Sequence, residues 1–162
     1  MVFTGTYEHA IDAKHRLAIP SDIRRDLQRG LGTGEGDTVV LYCVLGGTDV
    51  LCLYTEPGYR RLADELRQSD VDPADLLEYE EVFYANSKRI EMDSAGRVRL
   101  PDHLLKQTGL SGEVVLAGAG DHLKIRDRTA WAAKLENVLK DRPNLLVNPR
   151  MMLGRKPKNP AQ

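Results

Sequence analysis

Two arginines stand in matched surroundings. Arg16 follows Asp12 by four residues and precedes Pro20 by four; Arg97 stands in the same way between Asp93 and Pro101. An aspartate that ends a strand can accept hydrogen bonds from backbone N–H groups two residues on, which suits it to a turn. It can also orient an arginine at the base of the hairpin. A guanidinium held in that way loses little freedom on meeting a phosphate or the edge of a guanine. The available chemistry is recognition of anions and base edges. A single Asp-x-x-x-Arg is more often a surface salt bridge, since such spacing is common, and exposed pairs contribute only about 0–1 kcal/mol. Its recurrence at one place in a repeated unit favours the functional reading.

Further cations cluster near both motifs. Lys14 lies inside the first. Arg99 stands two residues past Arg97, hence on the same face of a strand. Arg24, Arg25 and Arg29 follow Pro20 on a stretch of helical spacing, where they are candidates for phosphate contact and equally for a solvated helix face. His15 stands where Gly96 stands in the second motif. A glycine there would supply a positive φ for the turn, and histidine tolerates that region better than most residues.

The surrounding elements repeat as well. Asp12 to Pro20 and Asp93 to Pro101 share an offset of 81 residues, with Asp, Arg and Pro at the same three places and an apolar pair between Arg and Pro. After each proline comes a short helix, with Ser21 and Asp102 as candidate N-caps. Gly109 closes the second helix. Then come an apolar strand (Thr38–Tyr42; Glu113–Ala117), a glycine turn, a second strand (Val50–Tyr54; His122–Arg126) and a helix with Tyr59 or Trp131 near its start, the latter capped by Thr129. The expected units are residues 1–60 and 86–140, joined by an acidic helical connector at 61–85. A basic, disordered tail is expected over 141–162. The connector reads as an amphipathic helix with Leu76, Tyr79, Val82 and Phe83. Gly30 to Gly36 reads as a flexible loop; without Lys-Ser/Thr after the glycines it is no phosphate loop. The fold class is mainly β with short helices (α+β). A unit of about 60 residues buries too little surface to be secure alone, so two packed pseudo-symmetrically share a core.

Bulk properties narrow the classes of function. The chain has 162 residues and a net charge of −1, unevenly spread. Eight acids and one base lie between Leu62 and Glu81, whereas Arg150, Arg155, Lys156 and Lys158 meet no acid after Pro143. A neutral chain can still present a basic face. The acidic stretch should then face away from the basic one. No apolar run approaches the roughly 18 residues of a membrane span, and no secretion signal is seen at the start. Cys43 and Cys52 read as reduced core residues. The four histidines show no metal-binding spacing, and no nucleophile motif occurs. No enzyme, cofactor, metal site or small-molecule substrate is expected.

The stretch Tyr7 to Pro20 resembles the N-terminal signature of the MraZ family, and Asp93 to Pro101 resembles its second copy. The resemblance runs from about Val2 to about Leu139. It implies two tandem SpoVT-AbrB-type domains in a swapped-hairpin, double-psi β-barrel-like unit. It implies a ring-shaped homo-oligomer that binds double-stranded DNA at promoter direct repeats. It also implies a transcriptional regulator, typically a repressor, of the division and cell-wall cluster containing its own gene, located in the cytoplasm with the nucleoid. The family's basic residues carry over onto Lys14, Arg16 and Arg97. Two positions depart from its pattern: His15 replaces a glycine, and Ala95 replaces a lysine. The second motif thus lacks one cation, so Arg16 is expected to matter more than Arg97. Two other readings stay open: a ring scaffold without DNA, and an antitoxin of the same superfamily, which usually has a single unit.

Overall fold

The computed structural model describes residues 1–154. They form two bodies, Met1–Arg128 and a second that begins at Thr129. The first contains the first repeat and residues 86–128 of the second. Its elements in order are β1 (Thr6–Ala10), β2 (Arg16–Ala18), α1 (Ser21–Leu31), β3 (Val40–Leu45), β4 (Leu51–Thr55), α2 (Glu56–Arg67), α3 (Pro73–Asn86), β5 (Lys88–Glu91), β6 (Arg97–Arg99), α4 (Asp102–Thr108), β7 (Glu113–Gly118) and β8 (Leu123–Asp127). The second body holds most of α5 (Arg128–Asp141), a 3-10 turn at Pro143–Leu145 and α6 (Pro149–Leu153). The disorder expected from residue 141 is therefore corrected as far as residue 153: Pro149 opens a helical turn and Asn148 caps it through Arg150 N–H. Arg155, Lys156 and Lys158 lie outside the described residues.

The repeats are interwoven. Six strands make an antiparallel sheet in the order β1-β7-β8-β4-β3-β5, and β2 pairs with β6 in a separate two-stranded ribbon. β1 of the first repeat thus pairs with β7 of the second, and β5 of the second with β3 of the first. The architecture is mixed α/β with short helices, as expected. The ladders themselves run from β1 to β5 without closing a barrel.

Alternation along the strands assigns the faces. Leu41 and Cys43 of β3 and Leu51 and Leu53 of β4 enter one large core with Leu17, Ile19, Val98, Leu100, Leu104 and Leu116. The intervening Val44, Cys52 and Tyr54 enter a second cluster with Tyr42, Tyr59, Leu62 and Phe83. β4 is consequently buried along its whole length. Both cysteines are free and buried, and burial raises their thiols to about 12 (Cys43) and about 11 (Cys52). The connector α3 is not the one-sided helix that was expected. None of its residues is buried, and Leu77, Tyr79 and Val82 are exposed while Phe83 packs inward.

Three expected caps are also corrected. Pro20 and Pro101, not Ser21 and Asp102, occupy the N-cap positions of α1 and α4, with no side-chain cap. Each proline ends the ribbon, because it has no N–H, and its carbonyl accepts the first helical bond, from Arg24 N–H at 2.9 Å or Leu105 N–H at 3.1 Å. Thr129 lies inside α5 rather than before it. In the stretch read as a loop, Gly30 and Leu31 still belong to α1, which Gly32 ends at φ 65°.

Candidate nucleic-acid interface

The two Asp-x-x-x-Arg motifs form two turns of the same construction. In the first, Asp12 Oδ1 accepts the backbone N–H groups of Lys14 (2.9 Å) and Arg16 (2.8 Å), and its Oδ2 accepts Arg16 Nε (2.7 Å). In the second, Asp93 Oδ1 accepts the N–H groups of Ala95 and Arg97 (both 2.9 Å), and its Oδ2 accepts Arg97 Nε (3.0 Å). Each carboxylate therefore spends both oxygens on its own turn. The backbone N–H of the following arginine, then its guanidinium, holds Asp12 and Asp93 below the ordinary carboxylate value of 3.8.

The fourth residue of each turn takes the left-handed conformation, His15 at φ 61° and Gly96 at φ 77°. Its carbonyl then points across to the other repeat. His15 O accepts Leu100 N–H at 2.8 Å, and Gly96 O accepts Ile19 N–H at 2.9 Å. These bonds are related by the same offset of 81 residues that relates the motifs.

The ribbon then presents its side chains in two sets. Leu17 lies opposite Val98, and both are fully buried. On the other face Arg16 lies opposite Arg99, and Ala18 lies opposite Arg97. Three arginines from both repeats thus share one face of a six-residue ribbon. Like charges placed directly opposite are unfavourable, and only two of the three have an aspartate. The face carries an excess of positive charge.

The other sequence-derived candidates sit around it. Lys14 is exposed at the tip of the first turn. His15 Nδ1 is 2.5 Å from Asp102 Oδ1 on α4, and this contact is what holds the Asp102 carboxyl below its ordinary value. Arg24 packs on the second turn: a Cβ on Gly96 would meet its guanidinium at 2.5–2.8 Å. Arg25 faces Asp22 at 3.2 Å on its own helix. Asp102 and the packing of Arg24 on Gly96 were not legible as parts of the site, because 87 residues separate His15 from Asp102 and no local signal joins them. Among the described residues no three His, Cys, Asp or Glu side chains gather as a metal site. No helix there is long and apolar enough to cross a membrane.

The fold and the face define a class: a tandem pair of strand-exchanged repeats that presents a paired-arginine ribbon. A family model described as "MraZ protein" and antitoxin-like matches residues 2–75 and 83–145. The chain belongs to the MraZ family. It is 35% identical over 130 residues to the transcriptional regulator MraZ of Mycoplasmoides gallisepticum, covering 80% of this chain and 84% of that protein. It is 32% identical over 147 residues to the transcriptional regulator MraZ of Neisseria meningitidis, covering 90% and 93%. With the Heliobacterium modesticaldum protein of the same name it shares 31% over 131 residues, covering 81% and 85%.

Proposed function

We propose that this protein is a sequence-specific regulator of transcription that binds double-stranded DNA through the arginine ribbon. The observation that carries this reading is the placement of Arg16, Arg97 and Arg99 on one face, two of them held at Nε by an aspartate. Such a bond leaves both terminal nitrogens of each guanidinium free for a phosphate or for the O6 and N7 atoms of guanine. The names of the three relatives above, each a transcriptional regulator, support the same reading. The finer reading follows the family resemblance. The protein acts as a ring of identical subunits on direct repeats upstream of the division and cell-wall cluster that holds its own gene, typically as a repressor. One protomer's few cations give limited affinity, and a ring on repeated sites multiplies it through effective concentration. It works in the cytoplasm at the nucleoid, with no cofactor and no catalytic step.

The test is a gel-shift titration on DNA from upstream of its own gene against scrambled DNA of equal length, at two salt concentrations. Arg16→Ala and Arg97→Ala are run beside the unmodified protein. Preference for the upstream DNA that either substitution removes supports the reading. Absence of preference at both salts moves the function toward a scaffold.

A further inference from the structure

Arg24 differs from Arg16, Arg97 and Arg25. Each of those three faces an aspartate. Among the described residues Arg24 makes no ion pair, and its Nε is buried without a hydrogen-bond partner. Arg24 as a whole is only half-buried, but an enclosed donor left without a partner is rare enough to need a reason. Arg24 lines a groove of about 540 Å³ with Ser21, Arg25, Thr38, Ser94 and Gly96. Two carboxylates, Asp93 and Asp37, reach the same groove. Asp93 is committed to its own turn, and Asp37 Oδ2 accepts Gly34 N–H at 2.7 Å. Neither carboxylate lies within ion-pair distance of Arg24, so its guanidinium stands unpaired in the groove, beside the turn that carries Arg97.

The pseudo-symmetry shows what that cation replaces. Lys14 of the first turn corresponds to Ala95 of the second, so the second turn has no cation at its tip. Arg24 corresponds to Leu105. Leu105 lines the matching groove over the first turn, with Asp12, Ala13 and His15. One turn thus has a lysine of its own and an apolar residue from the opposite helix. The other has an alanine of its own and an arginine from the opposite helix.

We propose that the groove over the second turn is a phosphate subsite for the DNA backbone, with Arg24 as its cation. Each turn then brings two positive charges to DNA: Lys14 with Arg16, and Arg24 with Arg97. Arg24 acts across the repeat boundary, and the second turn is not the weaker one. This inference rests on the DNA-binding reading above.

The experiment uses the full chain and follows DNA affinity over a salt series, on the upstream sequence and on scrambled DNA. Arg24→Gln should flatten the plot of log affinity against log salt by about 0.9 for each protomer in contact. It should weaken both DNAs by one factor and leave the sequence preference unchanged. Arg24→Lys should restore the slope, and Lys14→Gln should give a loss of the same size that adds to that of Arg24→Gln. An unchanged slope for Arg24→Gln, with a lowered slope for Lys14→Gln, overturns the proposal and leaves Arg24 as a packing group. So do Lys and Gln variants that lose melting temperature and affinity equally, because a positive charge alone then rescues nothing. If the unmodified protein binds neither DNA, or Arg16→Ala and Arg97→Ala bind as it does, the DNA reading itself fails and the subsite falls with it.

Discussion

His15 and Gly96 solve one geometric problem in two ways. Both turns need a left-handed corner so that a carbonyl can reach the other repeat. Glycine meets that need without strain; a residue with a Cβ carries about 1–2 kcal/mol. His15 offsets part of it through its contact with Asp102. His15→Ala keeps the strain and loses the contact, whereas His15→Gly loses both. The glycine variant should therefore be the more stable of the two by about 1 kcal/mol, read from urea unfolding. An alanine variant of equal or greater stability would show that the corner is not strained. The aspartates carry a pH dependence. Asp12 and Asp93 have folded pKa values below 3.8, so their bonds stabilise the protein fully above that pH. That contribution is lost as pH falls through the lower, folded value. The melting-temperature gap between the unmodified protein and the Asp12→Asn, Asp93→Asn double variant should be constant from pH 7 to 5 and close as pH falls below 3.8. A gap that persists at low pH would remove the carboxylates from the account.

At the scale of the element, the ribbon of β2 and β6 divides its labour by alternation. Leu17 and Val98 tie it to the core, and the arginines on its other face are thereby held in place. Leu17→Ala should cost about 2–5 kcal/mol in denaturant unfolding. At temperatures where the variant stays folded, DNA affinity should still fall, since the arginine face loses its support. Normal affinity in a destabilised protein would separate the face from its anchor. Much of this element was legible beforehand: the apolar pair, the arginines beside it and the prolines that end it are local patterns with short periods. Both cysteines were placed in the core for the same reason. The caps were misjudged because Ser21 and Asp102 are favoured N-cap types, yet proline ahead of each already supplied an extended residue whose carbonyl could start the helix. Leu76, Tyr79, Val82 and Phe83 suggest one apolar face for α3, but Tyr79 and Val82 are exposed. Leu77 falls on another face and stays exposed. Pairings between residues 81 or 87 apart carry no sequence signal of their own, so the partners of His15 and Gly96 emerged only with the fold.

At the scale of the whole molecule, duplication has become mutual dependence. β1 finds its partner in β7 and β5 finds its partner in β3. The ribbon needs one strand from each repeat, and one core takes Leu17 and Ile23 from the first repeat with Val98 and Leu104 from the second. A half on its own would leave strand edges unpaired and much of its apolar surface in water, which a unit of about 60 residues can ill sustain. Ser69 to Asp72 joins α2 to α3 and bears no strand, so a break there leaves every ladder intact. Residues 1–70 and 71–162 made as separate chains should each lack a cooperative thermal transition by circular dichroism. Mixed in equal amounts they should regain it, with a midpoint that rises with concentration, because folding has become an association. A cooperative transition in either half alone would show that a repeat folds without its twin. The arginine face, built from both repeats, would then be assembled after folding rather than by it.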